Sequence, residues 1–102
     1  MKKITKQASD ALVAGRVFKG NNTECDGKNL YLFGNKIARV SENGVLYITN
    51  SGYSTATTKE RLNALPFVNI RQRNFTWYLA NTAEDGEYRE WDGSWIKIGK
   101  IR

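Results

Sequence analysis

The sequence predicts an α+β fold: a single domain with an antiparallel β-sheet of about six to seven strands and two short helices on one face. Three observations predict it. Apolar residues recur at helical spacing near residues 4–12 and again near 57–65, whereas elsewhere they alternate at strand spacing. Turn dipeptides separate the alternating runs at hairpin intervals. No strand–helix–strand alternation is visible, which argues against a parallel nucleotide-binding sheet. With 102 residues the chain makes one domain, spanning 1–102.

Ile4, Ala8, Ala11 and Leu12 fall on one face of a helix, and Gly15 is its stop signal. Residues 19–29 are polar and rich in Gly and Asn, so they read as a loop or the ragged start of a strand. Leu30–Phe33 is a strand, Gly34-Asn35 a turn or bulge, and Lys36–Ser41 a second strand. Asn43-Gly44 is a type I′ hairpin signal leading into Val45–Thr49. Asn50-Ser51-Gly52 closes the meander. Thr57-Thr58-Lys59-Glu60 reads as a capping box with Thr57 as N-cap, opening a helix that runs to about Leu65. Phe67–Gln72 and Phe75–Leu79 flank a tight turn at Arg73-Asn74. Glu87–Trp91 and Ser94–Ile98 flank Asp92-Gly93, a second type I′ signal.

Sixteen Lys and Arg against ten Asp and Glu, with no His, leave a net charge of +6. One Cys and no His exclude an internal disulfide, a structural zinc site and Ser-His-Asp or Cys-His catalysis. No apolar run approaches the roughly 20 residues that cross a bilayer. The basic start of the chain is followed by Gln7, Ala8, Ser9 and Asp10 rather than an apolar signal segment. A reducing, intracellular location follows as the expectation. The positive charge favours anionic partners. Its excess lies at the two ends, at Lys2, Lys3 and Lys6 and at Lys97, Lys100 and Arg102.

No phosphate-binding loop is present. The carboxylates Glu84, Asp85, Glu87, Glu90 and Asp92 read first as solvated turn residues, with a shared divalent metal as the sharper alternative. Glu24, Asp26 and Lys28 only loosely match the acids and lysine of a metal-dependent nuclease. Cys25 sits between two acids, which raises a thiol pKa and argues against a nucleophile. The aromatic residues carry more. Phe67, Phe75, Trp77, Tyr78, Tyr88, Trp91 and Trp95 interleave with Arg71, Arg73, Arg89 and Lys97. A sheet that exposes rings beside cations can stack bases and hold phosphates. Phe75 and Trp77 are expected in the core. Tyr78, Trp91 and Trp95 are open to either core or surface, and Trp91 and Trp95 would face each other across Asp92-Gly93.

Three blocks resemble a family of small tailed-bacteriophage proteins. Leu30–Ala38 is similar to its YLHGNxIA core, with Phe33 where His is usual. Leu46–Asn63 resembles LxIxxAGWxTxTTKxRLNxL, with Ser51-Gly52-Tyr53 for Ala-Gly-Trp. Ile70, Gln72 and Phe75–Tyr78 resemble IxQxxFxWYL. The resemblance implies a phage gene product acting in the host bacterial cytoplasm, and carries over no functional site.

The sequence reading is therefore a non-enzymatic phage accessory protein that acts by binding, without cofactor, metal or membrane. Nucleic acid, bound with weak sequence selectivity, is the first partner. Arg71, Arg73, Lys97 and Lys100 would hold phosphates while Tyr78, Trp91 and Trp95 stack on bases. The alternative is a binder or inhibitor of a host or anti-phage defence protein, with exposed aromatics as anchors. A homodimer by strand addition is open if Leu30–Phe33 or Ser94–Ile98 lies at a sheet edge.

Overall fold

A computed structural model describes residues 2–102 and bears out the α+β class. Helix α1 covers Lys3–Ala14 and buries Ala8, Ala11 and Leu12 together with Thr5 and Ser9. Gly15 ends it at φ 71°, the left-handed conformation in which the next amide, that of Arg16, returns to the Ala11 carbonyl at 2.8 Å. Helix α2 covers Ala56–Asn63. Its N-cap is Thr55, not Thr57: Thr55 Oγ1 accepts from the Thr58 amide at 3.2 Å. Glu60 is thereby free to turn toward α1, where it accepts from Thr5 Oγ1 at 2.7 Å.

Among the described residues, nine strands pair antiparallel, five before α2 and four after it, and divide into two sheets, where the sequence suggested one sheet of six or seven strands. The larger has the order β1-β2-β3-β4-β5-β9 and comprises Val17–Lys19, Thr23–Asp26, Asn29–Leu32, Asn35–Val40, Val45–Ile48 and Ile96–Lys100. The smaller comprises β6 Val68–Arg73, β7 Thr76–Asn81 and β8 Arg89–Glu90. Residues 19–29, read as a loop or the ragged start of a strand, contain β2 and the last residue of β1; β2 forms because Thr23 and Cys25 alternate with Glu24 and Asp26 and bury their side chains. Among the two proposed edge segments, β3 lies inside the sheet and β9 is a true edge.

Turn chemistry shifts three boundaries. The β3–β4 turn is centred on Phe33-Gly34, at φ 50° and 79°, one residue earlier than expected. The β6–β7 turn is centred on Asn74-Phe75, at φ 50° and 66°. Two left-handed residues in succession make the type I′ geometry that suits strand twist. Between β4 and β5 the Ser41 amide bonds to Val45 O and the Gly44 amide to Ser41 O, both at 2.9 Å, and only Gly44 is left-handed. That is a three-residue loop with a glycine bulge, not a two-residue I′ turn.

The Asp92-Gly93 signal does not make a hairpin at all. β8 pairs with β7, and the chain then crosses to the other sheet, where β9 pairs with β5. Gly93 is the tether for this crossing. Its carbonyl accepts from Thr49 Oγ1 at 2.6 Å and from the Asn50 amide at 2.9 Å. A Cβ on Gly93 would stand 2.0 Å from Asn50 Nδ2, so any side chain there would displace the Asn50 amide and would also be strained at φ 88°.

The two inner faces share one core. Leu30, Ile37, Leu46, Ile48 and Ile98 meet Val68, Ile70, Trp77 and Leu79, with α1 and α2 packed over them.

Phe75 is the main correction to the expected core. It occupies a turn rather than a strand, and it is 94% exposed. An L-residue held left-handed costs about 1–2 kcal/mol, and an exposed ring recovers none of this by packing. Phe75→Gly creates the favoured Asn-Gly turn and is expected to raise stability by about 0.5–1 kcal/mol, after the flexibility of glycine in the unfolded chain is subtracted. Urea unfolding midpoints check this, and a lowered midpoint would show that the ring makes a stabilising contact.

Candidate nucleic-acid interface

Strand alternation buries one face of each sheet and leaves the other to solvent. On the outer face of the six-stranded sheet, Arg39, Tyr47 and Lys97 lie directly across from one another on β4, β5 and β9. The register shift at Leu46/Tyr47 accompanies this alignment of Tyr47 with Lys97. The Arg39 guanidinium carbon lies 4.2 Å from the centre of the Tyr47 ring and 5.7 Å from that of Trp95. Trp95 is half exposed. Nearby, Lys36 faces Tyr31, its Nζ 5.9 Å from the ring centre, and Lys100 pairs with Val45 at the other end. Among the described residues, Lys36, Arg39, Lys97 and Lys100 make no ion pair within 4.0 Å. The carboxylates of β2 border the Lys36–Tyr31 end of this face: Glu24 lies across from Tyr31, and Asp26 accepts from Tyr31 Oη at 3.5 Å. Asp26 is held below the usual carboxylate range, chiefly by hydrogen bonding from the Asn29 side chain.

A second group occupies the outer face of the three-stranded sheet. Arg71, Tyr78 and Glu90 form one cross-strand row, and Arg73 faces Thr76. The Arg71 guanidinium lies 4.7 Å from the Tyr88 ring centre. Arg71, Gln72, Arg73, Tyr78 and Tyr88 line an open groove of about 460 Å³.

The residues expected to form one site therefore fall into two. Arg71, Arg73 and Tyr78 are together on the small sheet. Trp95, Lys97 and Lys100 are together on the large one. Trp91 joins neither: it is 7% exposed, its ring centre lies 6.1 Å from that of Trp77, and its Nε1 donates to Ser94 O at 3.0 Å. The reason is backbone register. The Trp91 amide continues the β7–β8 ladder by bonding to Trp77 O at 2.9 Å, and its ring turns to the core side. Trp91 and Trp95 thus do not face each other across a hairpin. Arg102 is also withdrawn from any anion site. Its guanidinium donates to Leu12 O at 2.5 Å and to Gly27 O, closing the carbonyl end of α1.

Arg39, Tyr47, Tyr31 and Lys36 were not among the expected site residues. The Asn43-Gly44 signal, taken as a two-residue turn, would set Val40 opposite Tyr47. The three-residue loop with its glycine bulge instead sets Val40 opposite Leu46, and hence Arg39 opposite Tyr47 on the polar face.

The acidic cluster has its own order. Arg89 pairs with Asp85 at 2.5 Å and approaches Glu87 at 3.7 Å. The Arg89 hydrogen bond holds the Asp85 carboxyl down to about 2. Asp92 accepts from the Ser94 amide and hydroxyl. Among the described residues, no three Asp, Glu or Cys side chains gather in a group that could hold a metal ion. Cys25 is buried, and burial pushes its thiol pKa up more than the neighbouring Asp26 does. No helix among the described residues is long and apolar enough to cross a membrane.

No curated protein and no solved structure matches the chain. A family model described as "Kyanoviridae Gp96 protein" matches residues 1–97. That span takes in both helices, the whole small sheet and both cation–aromatic groups except Lys100. The protein belongs to the Kyanoviridae Gp96 family, a bacteriophage protein family.

Proposed function

We propose that this phage protein binds single-stranded nucleic acid with weak sequence selectivity, acting by contact rather than catalysis in the host cytoplasm. The observation that carries the reading is Arg39, stacked on Tyr47 and beside Trp95 without a carboxylate partner. Planar guanidinium and aromatic groups stack on unpaired bases of any identity, and flanking lysines hold the backbone. A duplex hides its base faces, so this surface suits single strands better.

Fluorescence anisotropy with a labelled oligonucleotide over a salt series tests it. If Lys36, Arg39, Lys97 and Lys100 each neutralise one phosphate, log K falls against log salt with a slope of about −3. Arg39→Ala is expected to make that slope shallower by about 0.7. Binding that ignores salt, or none at about 50 mM salt, would overturn the reading.

A second reading, capture of a host or defence protein, is favoured by a different observation. Phe33, Tyr53 and Phe75 are 69%, 53% and 94% exposed, and none stacks with a cation among the described residues. One stoichiometric partner that survives nuclease treatment of an infected-cell lysate, and is lost with Phe75→Ala, would favour it.

A further inference from the structure

We infer that the chain carries two separate nucleic-acid surfaces, one on the outer face of each sheet, and bridges two strand segments. This rests on the nucleic-acid reading above and extends it from binding to bridging.

The two cation–aromatic groups share no residue and belong to different sheets. Both sheets give their inner faces to one core, so each outer face turns away from it. Each carries the elements of a stacking surface. The large sheet has Arg39 over Tyr47, with Trp95 and Lys97. The small sheet has Arg71 over Tyr88, with Arg73 and Tyr78 lining the same groove. Among the described residues neither Arg71 nor Arg73 makes an ion pair within 4.0 Å, so their charge is available to phosphate. Glu90 stands across from Tyr78 on the β8 side, which places a bound backbone toward β6.

The junction between the sheets is hostile to a strand that would run over both. A groove of about 230 Å³ there is lined by Glu84, Glu87, Glu90, Arg89 and Lys97 among others. Arg89 is already engaged by Asp85 and Glu87. A phosphate backbone passing from Lys97 to the small sheet meets three glutamates, and like charges at such short range repel. Each face is therefore served by its own segment.

The experiment uses the intact protein and two oligothymidylates of about six nucleotides, near the lower end of what one sheet surface covers. One carries a donor dye and the other an acceptor. Anisotropy reports binding, and energy transfer reports two strands on one particle. The expected result is energy transfer at limiting protein, with two oligonucleotides bound per chain. Arg71→Ala/Arg73→Ala and Arg39→Ala/Lys97→Ala should each reduce this to one and abolish transfer, while anisotropy still reports binding. All four residues are exposed at the surface, so both variants are expected to keep the wild-type circular dichroism spectrum. One oligonucleotide per wild-type chain, bound without transfer, would overturn bridging and leave the binding reading intact. Transfer that survives Arg71→Ala/Arg73→Ala would assign it to self-association, and also overturns bridging. No anisotropy change overturns both.

Discussion

Arg61→Ala is expected to lower the unfolding free energy by about 3 kcal/mol, a large loss for a polar residue. Arg61 lies on α2 with its side chain only 3% exposed, and it is the polar hinge between three elements. Its Nε donates to Thr23 Oγ1 at 2.9 Å, and its Nη1 to Thr5 Oγ1 at 2.7 Å and Glu60 Oε1 at 2.5 Å. Its Nη2 reaches Asn22 Oδ1 at 3.3 Å. Thr5 and Thr23 are themselves almost fully buried. Removing the guanidinium takes the donor from two buried hydroxyls and leaves a cavity between α1, α2 and the β1–β2 turn. For a domain this size, the loss corresponds to a fall in melting temperature of about 15 °C. Differential scanning calorimetry of Arg61→Ala, beside Arg61→Lys and Arg61→Met, checks it. Lysine keeps the charge but not the planar fork, and should recover only part of the loss. Methionine restores volume without donors, so its value separates the cavity from the hydrogen bonds. A change below about 1 kcal/mol for Arg61→Ala would show that water replaces these contacts.

Trp91→Ala is expected to cost a similar amount, about 3–4 kcal/mol. The ring is buried against Trp77 and closes the core where the chain leaves the small sheet for the large one. Trp91→Phe retains most of the buried area and should recover more than half of the loss. Trp95→Ala is the informative contrast. Trp95 is 46% exposed and stacks only on the outer face, so stability should change by about 0.5 kcal/mol. Its effect belongs to binding, where losing one stacking ring costs about 1–3 kcal/mol. Chemical denaturation and oligonucleotide titration on the same two variants separate the roles. A stable Trp91→Ala, or a Trp95→Ala that unfolds, would reverse the assignment.

These two tryptophans mark how much of the site was legible. Composition, charge and the interleaving of rings with arginines single out residues 67–97, which the structure divides between two sheets. Local turn reasoning puts Arg73 in the β6–β7 turn, whereas the observed register sets Arg71 opposite Tyr78 and Arg73 opposite Thr76 on one face. The same reasoning puts Trp91 and Trp95 across a hairpin, because Asp92-Gly93 carries a strong local turn signal. What overrides the signal is distant. Thr49 and Asn50 hold the Gly93 carbonyl, and β5 takes as its partner the distant strand β9, setting Val45 opposite Lys100 and Ile48 opposite Ile96. Phe75 shows the same limit at short range. A one-residue shift of the turn moves it from a core position to the most exposed aromatic in the chain.

The sequence by itself determined the α+β class, the two helices, the central meander and the absence of His- or disulfide-based chemistry. Each of these is written in spacing and residue type within a few positions of itself. Only the tertiary structure decided that the strands divide into two sheets, that Trp91 and Arg102 serve the architecture, and that Arg39 and Tyr47 join Trp95 and Lys97. Those outcomes depend on which edges pair and which carbonyls need a donor, and both are settled by groups far apart in the chain that meet only when the core closes.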